Sequence, residues 1–214
     1  MKSYVWDWAT RLFHWILVIL VSISMYTGFV GGFREMDWHM YSGYAILALI
    51  IFRIGWGFVG SYNARFTSFI RGPGGIVAYL RNMMSSGPGV GHSPLAALSV
   101  IALLLALLVQ AVTGLFANDD IFIEGPLVHL VSEDMSNQLT SIHELNRWIV
   151  IALLVLHLAA ILFYELVKRD RIVLPMITGW KKGVAHDAER DRPVVAIILL
   201  AVVAGGVYYL IEYV

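Results

Sequence analysis

Five apolar stretches decide what this chain can fold into: Thr10 to Val30, His39 to Phe58, Leu95 to Phe116, Ile142 to Leu166 and Val194 to Tyr213. Each has the roughly 20 residues that a helix needs to cross about 30 Å of hydrocarbon. Lipid offers no partner to a free amide or carbonyl, so each span must satisfy its own backbone as a helix. The helix breakers fall where this reading needs them. Gly31 and Gly32 close the first span, while Pro94 and Pro193 open the third and fifth, where a missing N–H costs nothing. With 59% of its 214 residues hydrophobic and 14% charged, the chain is expected to be an all-α integral membrane protein. The N-terminal MKSYVWDWATRLFHW lacks a charged leader, a short apolar core and a cleavage site, so the first span is expected to be retained.

The formal charge is zero, yet its distribution is uneven. Of the 15 lysines and arginines, all but Arg34 and Arg147 lie near the N-terminus, at or after the end of span two, or between spans four and five. The positive-inside rule then puts the N-terminus in the cytoplasm and the C-terminus outside, in a multi-pass arrangement. The loop NDDIFIEGPLVHLVSEDMSNQ carries Asp119, Asp120, Glu124, Glu133 and Asp134 and no basic residue, so it should face the periplasm. ARFTSFIRGPGGIVAYLRNMMSSGPGVG alternates basic and aromatic residues before a Gly/Pro/Ser linker. It reads as an amphipathic segment lying on membrane lipid, with no role in binding nucleic acid. There is no cysteine, which excludes disulfides, thiolate metal sites and C-x-x-C-H haem attachment. A metal cofactor would have to be held by histidine, methionine or oxygen.

Four of the seven histidines fall within the spans: His14, His39, His143 and His157. Fourteen residues of helix rise about 21 Å in nearly four whole turns, so His143 and His157 point the same way at different depths. His14 lies near the depth of His157, and His39 is level with His143. One intramembrane histidine is more often a packed residue than a ligand; four that sort into two level pairs favour ligation. With no thiolate available, two such pairs suit two bis-histidine haems better than any other common cofactor. Of the others, His129 reads as loop packing or a partner contact, and His92 and His186 as solvated. Trp6, Trp8, Trp15, Trp38, Trp148 and Trp180 cluster near the expected interfaces as an aromatic belt.

A helix approaches a flat porphyrin closely only where side chains are missing. Gly28 lies 14 residues after His14, Gly43 four after His39, and Gly57 14 after Gly43, so spans one and two each present a ligand at one depth and a gap at the other. Span three breaks the pattern, because Val100 stands 14 residues before Gly114, and it is expected to wall the bundle. Haem propionates call for bidentate cations. Arg11, Arg53 and Arg147 can each share a face with a ligand, and snorkelling to lipid headgroups is the competing explanation for each.

WDWATRLFHW around His14, HMYSGY from His39, FRIGWGFVGSYNARFTSF after span two, the His143 to His157 helix and LPMITGWKKG beyond it occur in order. Together they resemble the cytochrome b subunits of membrane-bound nickel-iron hydrogenases and the related bacterial b561-type di-haem cytochromes. The resemblance covers about residues 4 to 183. It implies a four-helix transmembrane di-haem domain over 1–183, with 184–214 as a linker and a fifth, C-terminal transmembrane helix outside the family pattern. It also implies two haem b groups, one on His14 and His157 and one on His39 and His143.

The implied function is electron transfer between a periplasmic redox partner and the membrane quinone pool. The partner would be a c-type cytochrome or the small subunit of a nickel-iron hydrogenase, and quinone oxidoreduction would proceed only together with it. The acidic loop would attract a basic c-type cytochrome, and the fifth helix and short loops, which suggest a small stand-alone unit, tip the expectation that way. The quinone would sit by the cytoplasmic haem, near His14, His92 and Ser93. Two readings from other classes use the same residues. A haem-free, histidine-lined metal or proton transporter would normally show acids in mid-span, and Glu165 lies only at the end of span four. A membrane anchor subunit would use the imidazoles merely to bridge helices.

Overall fold

The computed structural model of the chain describes residues 2–82, 91–119, 121, 123–182 and 191–214. Its elements are β1 (Lys2–Tyr4), α1 (Trp8–Val30), α2 (Phe33–Val59), α3 (Phe66–Phe69), α4 (Pro73–Arg81), α5 (Pro94–Gly114), α6 (Glu133–Leu162), α7 (Val173–Thr178), β2 (Trp180–Lys182) and α8 (Pro193–Tyr213). Five helices, α1, α2, α5, α6 and α8, are long and apolar enough to cross a membrane.

Two of these helices begin well before their apolar runs. α2 starts at Phe33, just after Gly31 and Gly32, which both take positive φ. α6 starts at Glu133, nine residues before Ile142. Its polar first turns are capped by Ser132, whose Oγ accepts the Met135 amide at 3.3 Å and whose carbonyl accepts the Ser136 amide at 2.9 Å. Glu133 and Asp134 sit in that first turn against the positive end of the helix dipole. Two of the acids of the expected loop therefore belong to a helix. At its other end α6 widens into a π-helical turn, Phe163–Val167.

The chain divides into two compact units. One comprises Met1–Phe13, Arg53–Leu103 and Leu153–Ile197, the other His14–Phe52, Leu104–Ala152 and Ile198–Val214, so every long helix supplies residues to both. In the first unit, β1 pairs antiparallel with β2, with Ser3 opposite Lys181. The Val5 amide donates to Gly179 O at 2.8 Å, and Gly179 has a φ of 84°, which suits glycine. Asp7, 1% exposed, caps α1 through the Thr10 amide at 2.8 Å and the Thr10 hydroxyl at 2.7 Å, and also accepts the Ser61 hydroxyl. Asn63 donates to Val5 O at 3.0 Å. These bonds tie the segments WDWAT, GSYNA and TGWKK into one platform. The expected amphipathic segment is represented by α3 and α4, and its residues 83–90 lie outside the described ones.

In the second unit, Leu47, Leu115, Leu127 and Val207 form a buried core against which Tyr44, Leu210 and Ile211 pack. The fifth helix, α8, thus shares a core with α2 and the end of α5. The stretch after α5 folds back on itself: Gly125 N donates to Ala117 O at 2.7 Å and Leu127 N to Leu115 O at 2.9 Å. Asp119 Oδ1 accepts the amides of Ile121 at 3.0 Å and Ile123 at 2.8 Å. His129 contacts Val214 O through Nε2 at 2.8 Å, so it takes part in loop packing.

Candidate functional site

In the second unit α2 and α6 bring the rings of His39 and His143 together edge-on, with centroids 6.1 Å apart and planes at 79°. A carbonyl oxygen only accepts, so each of the following contacts fixes a proton on Nδ1. His39 Nδ1 donates to Ser24 O at 2.8 Å, and His143 Nδ1 donates to Gln110 O at 2.9 Å. Each ring therefore keeps Nε2 as its basic nitrogen. Such a bond to a backbone carbonyl is the usual way in which a metal-binding imidazole is oriented. Thr113 Oγ1 stands 3.3 Å from His143 Nδ1, and Ser24 Oγ 3.4 Å from His39 Nδ1.

Both rings line a cavity of about 270 Å³ walled by α1, α2, α5 and α6. Glycines make the rings fit. A Cβ on Gly28 would lie 2.8 Å from His39 Cε1, and one on Gly114 would lie 2.9 Å from His143 Cε1. Gly43 also lines the cavity, and a Cβ there would meet nothing within 4 Å. Arg147 reaches the same cavity, its guanidinium 5.2 Å from the centre of the Phe29 ring and 5.4 Å from that of Trp148. Its Nε is enclosed and has no hydrogen-bond partner among the described residues. In the same unit Asn146 donates to Ala106 O at 2.8 Å and to Gln110 Oε1 at 2.7 Å, while Gln110 Nε2 donates to His143 O at 3.1 Å. This polar seam fixes α5 against α6.

The remaining sequence candidates are spread over both units. His14, in the second, packs edge-on against Trp15 at 5.0 Å. His157, in the first, has Nδ1 3.5 Å from Ser99 Oγ. Arg11 donates to Ile177 O at 2.8 Å, and its enclosed Nε has no hydrogen-bond partner among the described residues. Arg53, 3% exposed, lies with its guanidinium 5.2 Å from the Phe66 ring centre, and its enclosed Nη1 has no hydrogen-bond partner among the described residues. Burial on this scale differs from snorkelling. Gly57 does not face open space, since a Cβ there would lie 2.1 Å from the Phe66 ring; the glycine admits Phe66.

His92, expected to be solvated, is enclosed between Trp6 and Phe69 at centroid distances of 4.7 and 4.5 Å, with Nδ1 cut off from solvent. Burial first, then the positive charges of Arg53 and His157, push its pKa down to about 3. Its neighbour Ser93 caps α5, accepting the Ala96 amide at 3.2 Å, and also accepts the Tyr164 hydroxyl at 3.2 Å. Tyr164 in turn bonds to Tyr79 of α4. His186 lies outside the described residues.

A family model described as prokaryotic cytochrome b561 matches residues 5–179. The chain belongs to that family. Membership makes it a multi-pass membrane cytochrome that carries electrons on b-type haem. Among curated proteins it is similar to the "Probable Ni/Fe-hydrogenase 1 B-type cytochrome subunit" of Escherichia coli K12 and to its counterpart in Escherichia coli O157:H7. Each is 23% identical over 85% of this chain and 91% of the relative. No solved structure matches the chain.

The residues around the cavity fit such a group. Two imidazoles on one cavity, each with a proton-free Nε2, are a donor set that b-type haem takes, and the His39 and His143 ring centres stand 6.1 Å apart there. The unbonded Nε of Arg147 offers a cation to an acidic substituent, and Gly43 leaves a flat wall.

Proposed function

We propose that this chain moves electrons across a bacterial inner membrane, between a periplasmic redox partner and the quinone pool. It would do so through two b-type haems, one held by His39 and His143 and one by His14 and His157. The observation that carries the reading is the facing of His39 and His143, each with its Nδ1 proton committed to a backbone carbonyl. The fourteen-residue spacing in α6 extends the reading to the second pair.

Haem b, when bound, supplies a one-electron ferric/ferrous couple. His39 and His143 would hold the haem through Nε2, the nitrogen that each ring keeps free of a proton. Gly28 admits the His39 ring, Gly43 clears space for a close approach, and Arg147 would neutralise acidic substituents at the cavity. Arg11 and Arg53, each with an enclosed unbonded nitrogen, are the matching cations of the first unit. The quinone is assigned to the surroundings of His92 and Ser93, beside the basic loops that the positive-inside rule places in the cytoplasm.

The name of the Escherichia coli relatives makes a nickel-iron hydrogenase one candidate partner. The acidic stretch from Asp119 to Asp134 makes a basic c-type cytochrome the other. An absorption spectrum, oxidised and then dithionite-reduced, with a haem count per chain, tests the reading. Low-spin b-type bands, two haems per chain and reduction by added quinol are expected. A colourless chain after haem-replete expression would return the problem to the transporter and anchor readings.

A further inference from the structure

α5 has no place among the four ligands, yet it sets a hydrogen-bonding group against each histidine of α6. In the second unit the Nδ1 proton of His143 is shared between Gln110 O at 2.9 Å and Thr113 Oγ1 at 3.3 Å. Thr113 gives its own proton to Val109 O at 2.7 Å, so it turns a lone pair to the imidazole. Gly114 clears the ring. In the first unit Ser99 Oγ stands 3.5 Å from His157 Nδ1. Ser99 and Thr113 are fourteen residues apart, the interval that separates His143 from His157. α1 repeats the device for His39: the stretches SMYTG, ending at Gly28, and QAVTG, ending at Gly114, share Thr-Gly, and each offers its first carbonyl to a ring Nδ1.

From these contacts we infer that α5 is the positioning helix for both imidazoles of α6, with Ser99 acting on His157 and Thr113 with Gly114 acting on His143. The inference rests on the haem reading above. An acceptor on Nδ1–H makes Nε2 a stronger donor and favours ferric iron, so removing the acceptor raises the midpoint potential. Each hydroxyl should act on one haem alone.

The test uses the full-length chain and its variants Ser99→Ala, Thr113→Val and Gly114→Ala. The two haems are counted and titrated separately by low-temperature EPR, with His157→Ala and His143→Ala identifying which signal is which. Ser99→Ala is expected to raise the midpoint of the haem missing in His157→Ala and to leave the other in place. Thr113→Val, close to isosteric, is expected to raise only the haem missing in His143→Ala, and Gly114→Ala to deplete that same haem. Unchanged midpoints in Ser99→Ala and Thr113→Val, or both midpoints moving together in each, would overturn the inference while leaving the two-haem reading intact. A wild-type chain without haem would overturn both.

Discussion

Replacing Gly28 with alanine tests the close fit at His39 in a way that can be worked through in numbers. The new Cβ would lie 2.8 Å from Cε1 and 2.9 Å from Nδ1 of the ring, and ordinary contact begins at 3.4 Å. The imidazole must therefore retreat by roughly 0.5 Å from α1, which already carries its hydrogen-bond acceptor, Ser24 O, at 2.8 Å. Losing most of that bond costs about 1 kcal/mol, and overpacking a well-filled site about 1–3 kcal/mol. The sum, about 2–4 kcal/mol, corresponds to a roughly 30- to 700-fold weaker hold on haem at the His39 site. The assay is haem titration of the purified apo-chain, with the pyridine haemochrome spectrum as the count. Gly205→Ala, whose Cβ would meet nothing within 4 Å, serves as the control. Wild-type stoichiometry and affinity in Gly28→Ala would refute the close-fit reasoning.

Three further outcomes are expected. Asp7→Ala removes a helix cap worth about 0.5–2 kcal/mol and strands the Ser61 hydroxyl, which is 2% exposed, at about 1–3 kcal/mol. Thermal unfolding in detergent should report a loss of about 1.5–5 kcal/mol, with a smaller loss in Asp7→Asn. Arg147→Leu withdraws a positive charge from the cavity and should lower the midpoint of the His39/His143 haem, read by redox titration, without displacing the other. His92 has its pKa pushed down to about 3, while in the unfolded chain it would protonate near 6.5. Its contribution is present in full above about 6.5 and is lost as pH falls toward 3, where only the unfolded state takes up the proton. His92→Phe should flatten the fall in melting temperature between pH 7 and 4.5, whereas an unaltered slope would mean that His92 is not the group responsible.

Much of the fold could be read from the sequence because twenty consecutive apolar residues have only one fate in a bilayer. The five spans were found within a few residues wherever apolar character and helix end together. The expectation fell short at α6, whose polar first turns, EDMSNQLTS, give no hydropathic signal; Ser132 followed by two acids was the available mark of a helix start. The β1–β2 pair escaped because three-residue strands joined across Ser3 and Lys181 leave no local periodicity. The sequence makes His92 look solvated because neither Trp6 nor Phe69, the rings that enclose it, is near it in sequence. At the site itself, depth along the helices paired His39 with His143, but the groups that orient them stayed hidden. Gln110 and Ser24 act through backbone carbonyls, which no side-chain motif reveals. The recurring Thr-Gly of α1 and α5 was the one written trace of them.

Alanine at His39 and alanine at His143, compared by EPR of the oxidised full-length chain, bear most directly on whether these two side chains clamp one haem. Both variants should lose the same low-spin signal and keep the other, each with one haem left per chain. Loss of different signals in the two variants, or of none, would contradict the pairing on which the electron path depends.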